Sequence, residues 1–318
     1  MSGLSSIERT TNRVWTLRRL SLSATVTSLV LAGTLVGPLA NSSATGATKA
    51  SGPVDVLYAG SFLDLMQQQI DPAFHKATGY TVSGFSAGSS ALATEIAGGT
   101  QVGDVFISAS PAVNASLEGA ANGNWVSSYD EFGTSPLVLG YNPKSRFAKA
   151  LERFPWYNVV DRTGFLLGRT DPATDPKGVL AVDALTGVAL SYDVPNLATL
   201  ASSSSNIFPE TSLVGELQAG QLDAGFFYGV EASAAHIKTV PLVRTDLAAQ
   251  YTVAILNKAP HEAAAKAFVK FLLSAPGQKI LKAHGITSVS PAKVVSAASS
   301  TAATTTTTTA PTTTTSAP

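Results

Sequence analysis

From residue 54 to about residue 292, short apolar runs alternate with amphipathic stretches, the pattern of an α/β fold. Residues 54–58 read as a buried strand and Ala59-Gly60-Ser61 as a tight exit turn. Phe62, Leu65, Met66, Ile70 and Phe74 then share one helical face, with Pro72 expected to kink or divide that helix and Gly79 to stop it. A second strand begins at Tyr80-Thr81-Val82 and closes at Ser86-Ala87-Gly88-Ser89-Ser90, after which Leu92 and Ile96 lie on one helical face. Residues 104–108 form a third strand. This β-α-β-α-β opening predicts a parallel sheet whose ligands gather at the C-terminal ends of the strands.

Further along, residues 137–141, 165–169, 224–228 and 251–256 are strand-like and 213–218 helical. Residues 261–284 form a long helical segment broken at Pro276-Gly277, with Phe268, Phe271, Leu272, Ile280 and Leu281 on its apolar side. No internal repeat is present. The pattern fails at both ends. Arg9, Arg13, Arg18 and Arg19 precede an uncharged run over 20–40, and Ser42-Ser43-Ala44 offers a small-x-small processing site. Residues 1–44 are therefore expected to be an export signal removed on the way to the periplasm or cell exterior, by a Sec or twin-arginine route. Residues 293–318, which from Ser296 onward are only Ser, Thr, Ala and Pro, are expected to be a disordered tail.

Composition narrows the function classes. The 318 residues are 45% apolar and 13% charged with formal charge zero, which supplies a sizeable core and no basic face for nucleic acid. There is no cysteine, so disulfides, thiolate metal sites, cysteine nucleophiles and a lipoprotein anchor are excluded. Removing four Arg and one Glu with the export signal leaves 17 basic and 20 acidic groups of the original 21 each. A mildly acidic protein of this kind can hold an anion only with local donors.

Two turns share one design, a strand followed by small residues and Ser, then a helix: Ala59-Gly60-Ser61 and Ala87-Gly88-Ser89-Ser90. Unpartnered first-turn amides beside a Ser hydroxyl make an anion site, although Ser also caps helices with no ligand present. Gly84-Phe85-Ser86-Ala87-Gly88 matches the G-x-S-x-G nucleophile elbow. It comes early in the chain, and of the four histidines, which all read as surface residues, only His284 with Asp246 could complete a Ser-Asp-His order. No metal-ligand spacing is recognisable, and the stretch from Asp171 to Asp175 reads as a turn rather than a calcium loop.

Tyr58-Ala59-Gly60-Ser61, Ser86-Ala87-Gly88-Ser89-Ser90 and the stretch from Gly103 to Ala109 resemble the first lobe of molybdate/tungstate-binding proteins of ABC importers, within the type II periplasmic-binding-protein superfamily. Gly168-Arg169-Thr170-Asp171-Pro172, Asp175-Pro176-Lys177-Gly178 and Phe227-Tyr228-Gly229 are similar to that family's second lobe, the first two to its tungstate branch. The resemblance implies a two-lobed α/β fold with the ligand in the interlobe cleft, lobe 1 at 54–136 plus 242–292 and lobe 2 at 137–241. It implies hydroxyl and amide donors at Ser61 and Ser89, a backbone amide at Lys177, another near Glu210, and the hydroxyl of Tyr228. The tungstate branch extends the metal's coordination with an Asp and a Glu. Asp175 stands at the Asp, but Phe227 stands where the Glu is expected, which implies four-coordinate binding by hydrogen bonds.

A non-enzymatic binding protein is the reading these features favour, acting as a monomer with no cofactor, its ligand molybdate or tungstate and its partner a membrane permease. A binding protein for sulfate, phosphate or an organic acid, and a secreted serine hydrolase, are the competing readings.

Overall fold

The computed structural model describes residues 51–243 and 246–296. The expected export signal and residues 297–318 of the expected tail lie outside the described residues. Nine strands are present among them: β1 (Pro53–Ala59), β2 (Thr81–Ala87), β3 (Val105–Ser108), β4 (Ser128–Tyr141), β5 (Leu167–Gly168), β6 (Ala224–Tyr228), β7 (Lys238–Pro241), β8 (Ala248–Ile255) and β9 (Thr287–Ser296). Their order is β2-β1-β3-β8-β4-β6-β5, with β7 and β9 also paired to β4. β1 lies between β2 and β3 and runs parallel to both, as the alternating opening predicts. Helices connect these parallel strands, because a parallel pair needs a crossover.

β4 organises the rest. Its residues up to Pro136 pair with β8 and β9, and from Leu137 onward it pairs with β6 and β7. Proline has no amide to donate, so the ladder changes partners where Pro136 interrupts it. A register shift between Glu131 and Gly133 bends the same strand, and Phe132 at the shift is fully buried. Phe132 packs edge-on to Phe62 and against Tyr251, whose ring lies 4.5 Å from that of Phe62. This aromatic group sits under the C-terminal end of β1 and makes the floor on which the site is built.

Two local expectations are revised, and one helix was not anticipated. Pro72 does not divide its helix: the turn Met66–Ile70 winds as a π-helix and runs directly into Asp71–Thr78. A wider turn ahead of proline accommodates the ring and the missing amide. Gly79 stops this helix at φ 91, as expected. Residues 293–296 are not tail. They belong to β9, where Val294 and Val295 pair with Asp130 and Tyr129 of β4. The helix Pro176–Tyr192 has no counterpart in the pattern reading. Its apolar residues run almost all the way round, so a 3.6-residue period is hard to see.

Candidate functional site

The three parallel strands end together. After β1, Gly60-Ser61-Phe62 forms a 3-10 turn, and the Ser61 hydroxyl shares a 2.9 Å hydrogen bond with the Tyr251 hydroxyl of β8. After β2, Gly88 caps the helix Ser89–Ala97, with Ser89 as its first residue. Ser89 Oγ accepts the backbone N–H of Ala109, just past β3, at 3.1 Å. That leaves the Ser89 hydroxyl proton free to donate elsewhere. Both serines are buried. The strand–Ser–helix pattern had placed both at this edge.

From the other half of the molecule, Asp175 caps the helix Pro176–Tyr192, its Oδ1 accepting the Lys177 N–H at 3.1 Å. The Lys177 amide expected to face a ligand is thus taken by the cap. The side chain enters the site instead. Lys177 Nζ is fully buried, 3.2 Å from Glu210 Oε1 and 2.9 and 2.8 Å from the two oxygens of Glu231. Glu210 lies in the turn before the helix Leu213–Gln218 and likewise contributes its carboxyl rather than an amide. Glu231 is the third residue of the helix Gly229–Ala234, and its Oε2 also accepts the Tyr228 N–H at 3.3 Å. Tyr228 ends β6, its ring 6.0 Å from that of Tyr251.

The two halves touch across this group. Ala91 N–H donates to the Thr174 carbonyl at 3.0 Å. A Cβ at Gly88 would stand 2.4 Å from that carbonyl oxygen, and one at Gly60 would stand 1.3 Å from Glu210 Oε2. At Gly88 the atom met is backbone, so only glycine permits that approach, whereas at Gly60 it is the end of the Glu210 side chain. A cavity of about 150 Å³ remains beside Glu210, lined also by Gly60, Ser61, Asp64, Thr211 and Glu231.

Three buried polar atoms in this group lack a hydrogen-bond partner among the described residues: Tyr228 Oη, Asp175 Oδ2 and Glu210 Oε2. Buried polar groups are normally satisfied, so this concentration marks a place where a ligand or water belongs. Burial pushes the Glu210 carboxyl well above its ordinary range against the pull of Lys177, with Asp175 and Glu231 adding to the rise. Burial likewise raises Asp175, Glu231, Tyr228 and Tyr251. Burial opposes the charge on Lys177, but Glu231, Glu210 and Asp175 override it and hold the ammonium above its usual pKa.

Ser61, Asp175, Lys177, Glu210 and Tyr228 thus gather with Tyr251 and Glu231, while Ser89 stands next to Gly88, which packs on Asp175, and several of them play another part than expected. Phe227 stands where a carboxylate was expected, its ring 5.7 Å from Lys177 Nζ. Glu210 and Glu231 carry carboxyls into the same group from other positions, where both are paired with Lys177. Glu231 and Tyr251 were missed. Tyr228-Gly229-Val230-Glu231 is spaced as a helix start with an acidic third residue, a signal that could have found Glu231. Nothing local distinguishes Tyr251 from a core residue.

Two other sequence features are resolved. Ser86 of the G-x-S-x-G match lies within β2 in register with Tyr58, not on a strand-to-helix elbow. His261, expected at the surface, is partly covered and joins Asp104 and Asp55: its Nδ1 is 2.9 Å from Asp104 Oδ2, and both oxygens of buried Asp104 are filled by amides of Asp55 and His261. This trio fastens β1 and the approach to β3 to the helix Glu262–Leu273. The stretch from Asp171 to Asp175 is a turn, Asp171 Oδ1 accepting the Ala173 N–H at 3.0 Å.

Residues 54–287 match the family of bacterial extracellular solute-binding proteins. The chain belongs to that family. Its members are binding proteins, not enzymes. A solute-binding protein of Halobacterium salinarum is 27% identical over 274 residues, covering 77% of this chain and 86% of that one. The molybdate/tungstate-binding protein of Pyrococcus abyssi is 26% identical over 50% of this chain and 61% of its own length, so the match spans less than two thirds of that relative. In fold, the chain resembles the periplasmic molybdate-binding protein of Azotobacter vinelandii, with a TM-score of 0.58 at 21% identity over 74% of this chain and 98% of the other. No helix among the described residues is long and apolar enough to cross a membrane.

Proposed function

We propose that this solute-binding protein captures a tetrahedral oxyanion, molybdate or tungstate, for an ABC importer. The anion sits where the serine turns of residues 54–136 plus 242–292 meet Tyr228 and the helix starts of residues 137–241, and the two lobes close over it. The observation that carries this reading is the Tyr228 hydroxyl: buried, unpartnered among the described residues, on a ring beside Tyr251, whose own hydroxyl holds Ser61. A buried donor left unmet costs about 1–3 kcal/mol, so such a donor fits a charged acceptor that arrives from solvent. Hydrogen bonds to an ionised acceptor are the strong ones, and neutral donors can hold a dianion without covalent chemistry. The relative from Pyrococcus abyssi, named for molybdate and tungstate, supports the choice of anion. A closed form that differs from the open one gives a membrane permease something to recognise.

The test is thermal denaturation of the exported chain against molybdate, tungstate, sulfate, phosphate and small organic acids. At a hundred times the Kd the bound anion stabilises by about 2.7 kcal/mol. Molybdate or tungstate should give the largest rise in Tm. The largest rise from an organic acid, with none from either oxyanion, would sink the assignment.

A further inference from the structure

Among the described residues the site carries three buried carboxyl groups, Asp175, Glu210 and Glu231, and one buried ammonium, a poor electrostatic match for a dianion. The imbalance is not shared evenly. Glu231 has both oxygens on Lys177 Nζ and a further N–H from Tyr228, so the single ammonium is chiefly its partner. Asp175 has the Lys177 amide on Oδ1. Glu210 reaches the same ammonium through Oε1 alone, at 3.2 Å, while Oε2 lies against Gly60 and beside the cavity with no partner among the described residues. Glu210 is more than nine-tenths buried.

We propose that the protein takes up its anion together with one proton, which Glu210 shares with the bound anion. This rests on the oxyanion reading and names the form in which that ligand is held. In the open protein Glu210 faces water and is ionised; on closure a solvent proton binds Oε2, forming one O–H bond with no redox change. The neutral carboxyl then donates to the anion where the carboxylate would have repelled it. For a dianion about 4 Å from a carboxylate at an effective dielectric near 20, repulsion would weaken binding roughly a millionfold. Protonating an ordinary glutamate at neutral pH costs about five-hundredfold in population and gives up part of the Lys177 attraction, but burial already drives this carboxyl toward its neutral form, so the protonated form wins.

Burial, the largest influence on Glu210, favours the same outcome against the pull of Lys177, with Asp175 and Glu231 adding to it. Lys177 is the only cation facing Glu210 among the described residues, and it is opposed by Asp175 at the cap of its own helix and by Glu231 from the helix Gly229–Ala234. Tyr228 of β6 and Tyr251 of β8 are held neutral by burial, and Asp64 lines the cavity from the β1 side. A proton shared in this way favours anions of weak acids, which tolerate a hydrogen on the complex, over sulfate.

Calorimetric titration of wild-type protein with molybdate, in buffers of different ionisation enthalpy, counts the protons. About one proton should be taken up per anion, and the Kd should weaken roughly tenfold per pH unit between about pH 7 and 8. In Glu210→Gln the amide donates without titrating, so the proton count should fall to near zero and the pH slope should flatten. An infrared difference spectrum of wild type, gaining a protonated-carboxyl band on adding molybdate, checks the same point should that variant fail to fold. Tight wild-type binding with no proton uptake and no such band overturns the proposal, and points to a carboxylate bound directly to the metal. Undiminished uptake in Glu210→Gln overturns it too. Should molybdate and tungstate fail to bind while sulfate or phosphate binds, the choice of anion falls and the proton count on the bound anion decides this inference separately. Should no anion bind, both fall.

Discussion

Gly88→Ala separates closure from folding. Gly88 has φ −58 and ψ 136, a conformation that alanine adopts freely, so its own half of the molecule does not oppose the change. In the closed structure the new Cβ would lie 2.4 Å from the Thr174 carbonyl oxygen and 3.1 Å from Asp175 Cβ. The nearest atom is backbone and cannot rotate away. Relieving the overlap requires the two halves to part by roughly 1 Å, since unstrained heavy-atom contacts lie near 3.5 Å. That movement breaks the Ala91 N–H to Thr174 hydrogen bond, now 3.0 Å. Losing the bond costs about 1 kcal/mol and residual overpacking about 1–3 kcal/mol. A total near 3 kcal/mol weakens anion binding roughly a hundredfold. Calorimetry with molybdate measures that loss, and chemical denaturation of the ligand-free protein should show a change within about 0.5 kcal/mol. Small-angle scattering should show the wild type contracting on ligand addition and the variant failing to. Wild-type affinity in Gly88→Ala would refute the assignment of these contacts to the ligand-bound state.

Tyr228→Phe removes a hydroxyl that has no partner among the described residues, so the ligand-free protein should keep its stability while anion affinity falls by about 1.5–3 kcal/mol, or ten- to a hundredfold, by calorimetry. Lys177→Met leaves the buried Glu210 and Glu231 without their cation and should cost about 3–5 kcal/mol in urea denaturation at neutral pH. Carboxyls raised further by that loss titrate as pH rises, so the defect should be larger at alkaline than at acidic pH. Asp71, raised by burial to about 6 and with Oδ1 unpartnered among the described residues, favours the folded state only when protonated. That contribution is full below the unfolded pKa near 3.8 and is lost as pH rises through about 6. Asp71→Asn should therefore raise stability at pH 7 by roughly 1 kcal/mol, after discounting for partial solvent exposure, and the gain should vanish on acidification to about pH 4.

Much of the fold was legible because its signals are local. The parallel opening of β1, β2 and β3 follows from apolar runs, Ser and Gly exits and helical spacing within about sixty residues. Both serine turns, the extent of β6 from residue 224 to 228 and the break near Pro276-Gly277 are also written in short windows. Local signals failed where pairing is distant or a pattern is uniform. β9 exists because Val294 and Val295 find β4 more than 160 residues back in the chain. The helix Pro176–Tyr192 is apolar on nearly every side and shows no period. At the site, sequence determined which residue types gather at the strand ends, since each turn brings its own serine, aspartate or tyrosine. Tertiary structure alone decided their charge state and their contacts. Lys177 turns inward because Glu210 and Glu231, 33 and 54 residues away, meet its ammonium where it is fully buried, and an unpaired charge there would cost more than the fold could bear. Gly88 needs to be glycine only because the Thr174 backbone from another part of the chain lies against it, and no window of sequence contains both sides of that contact.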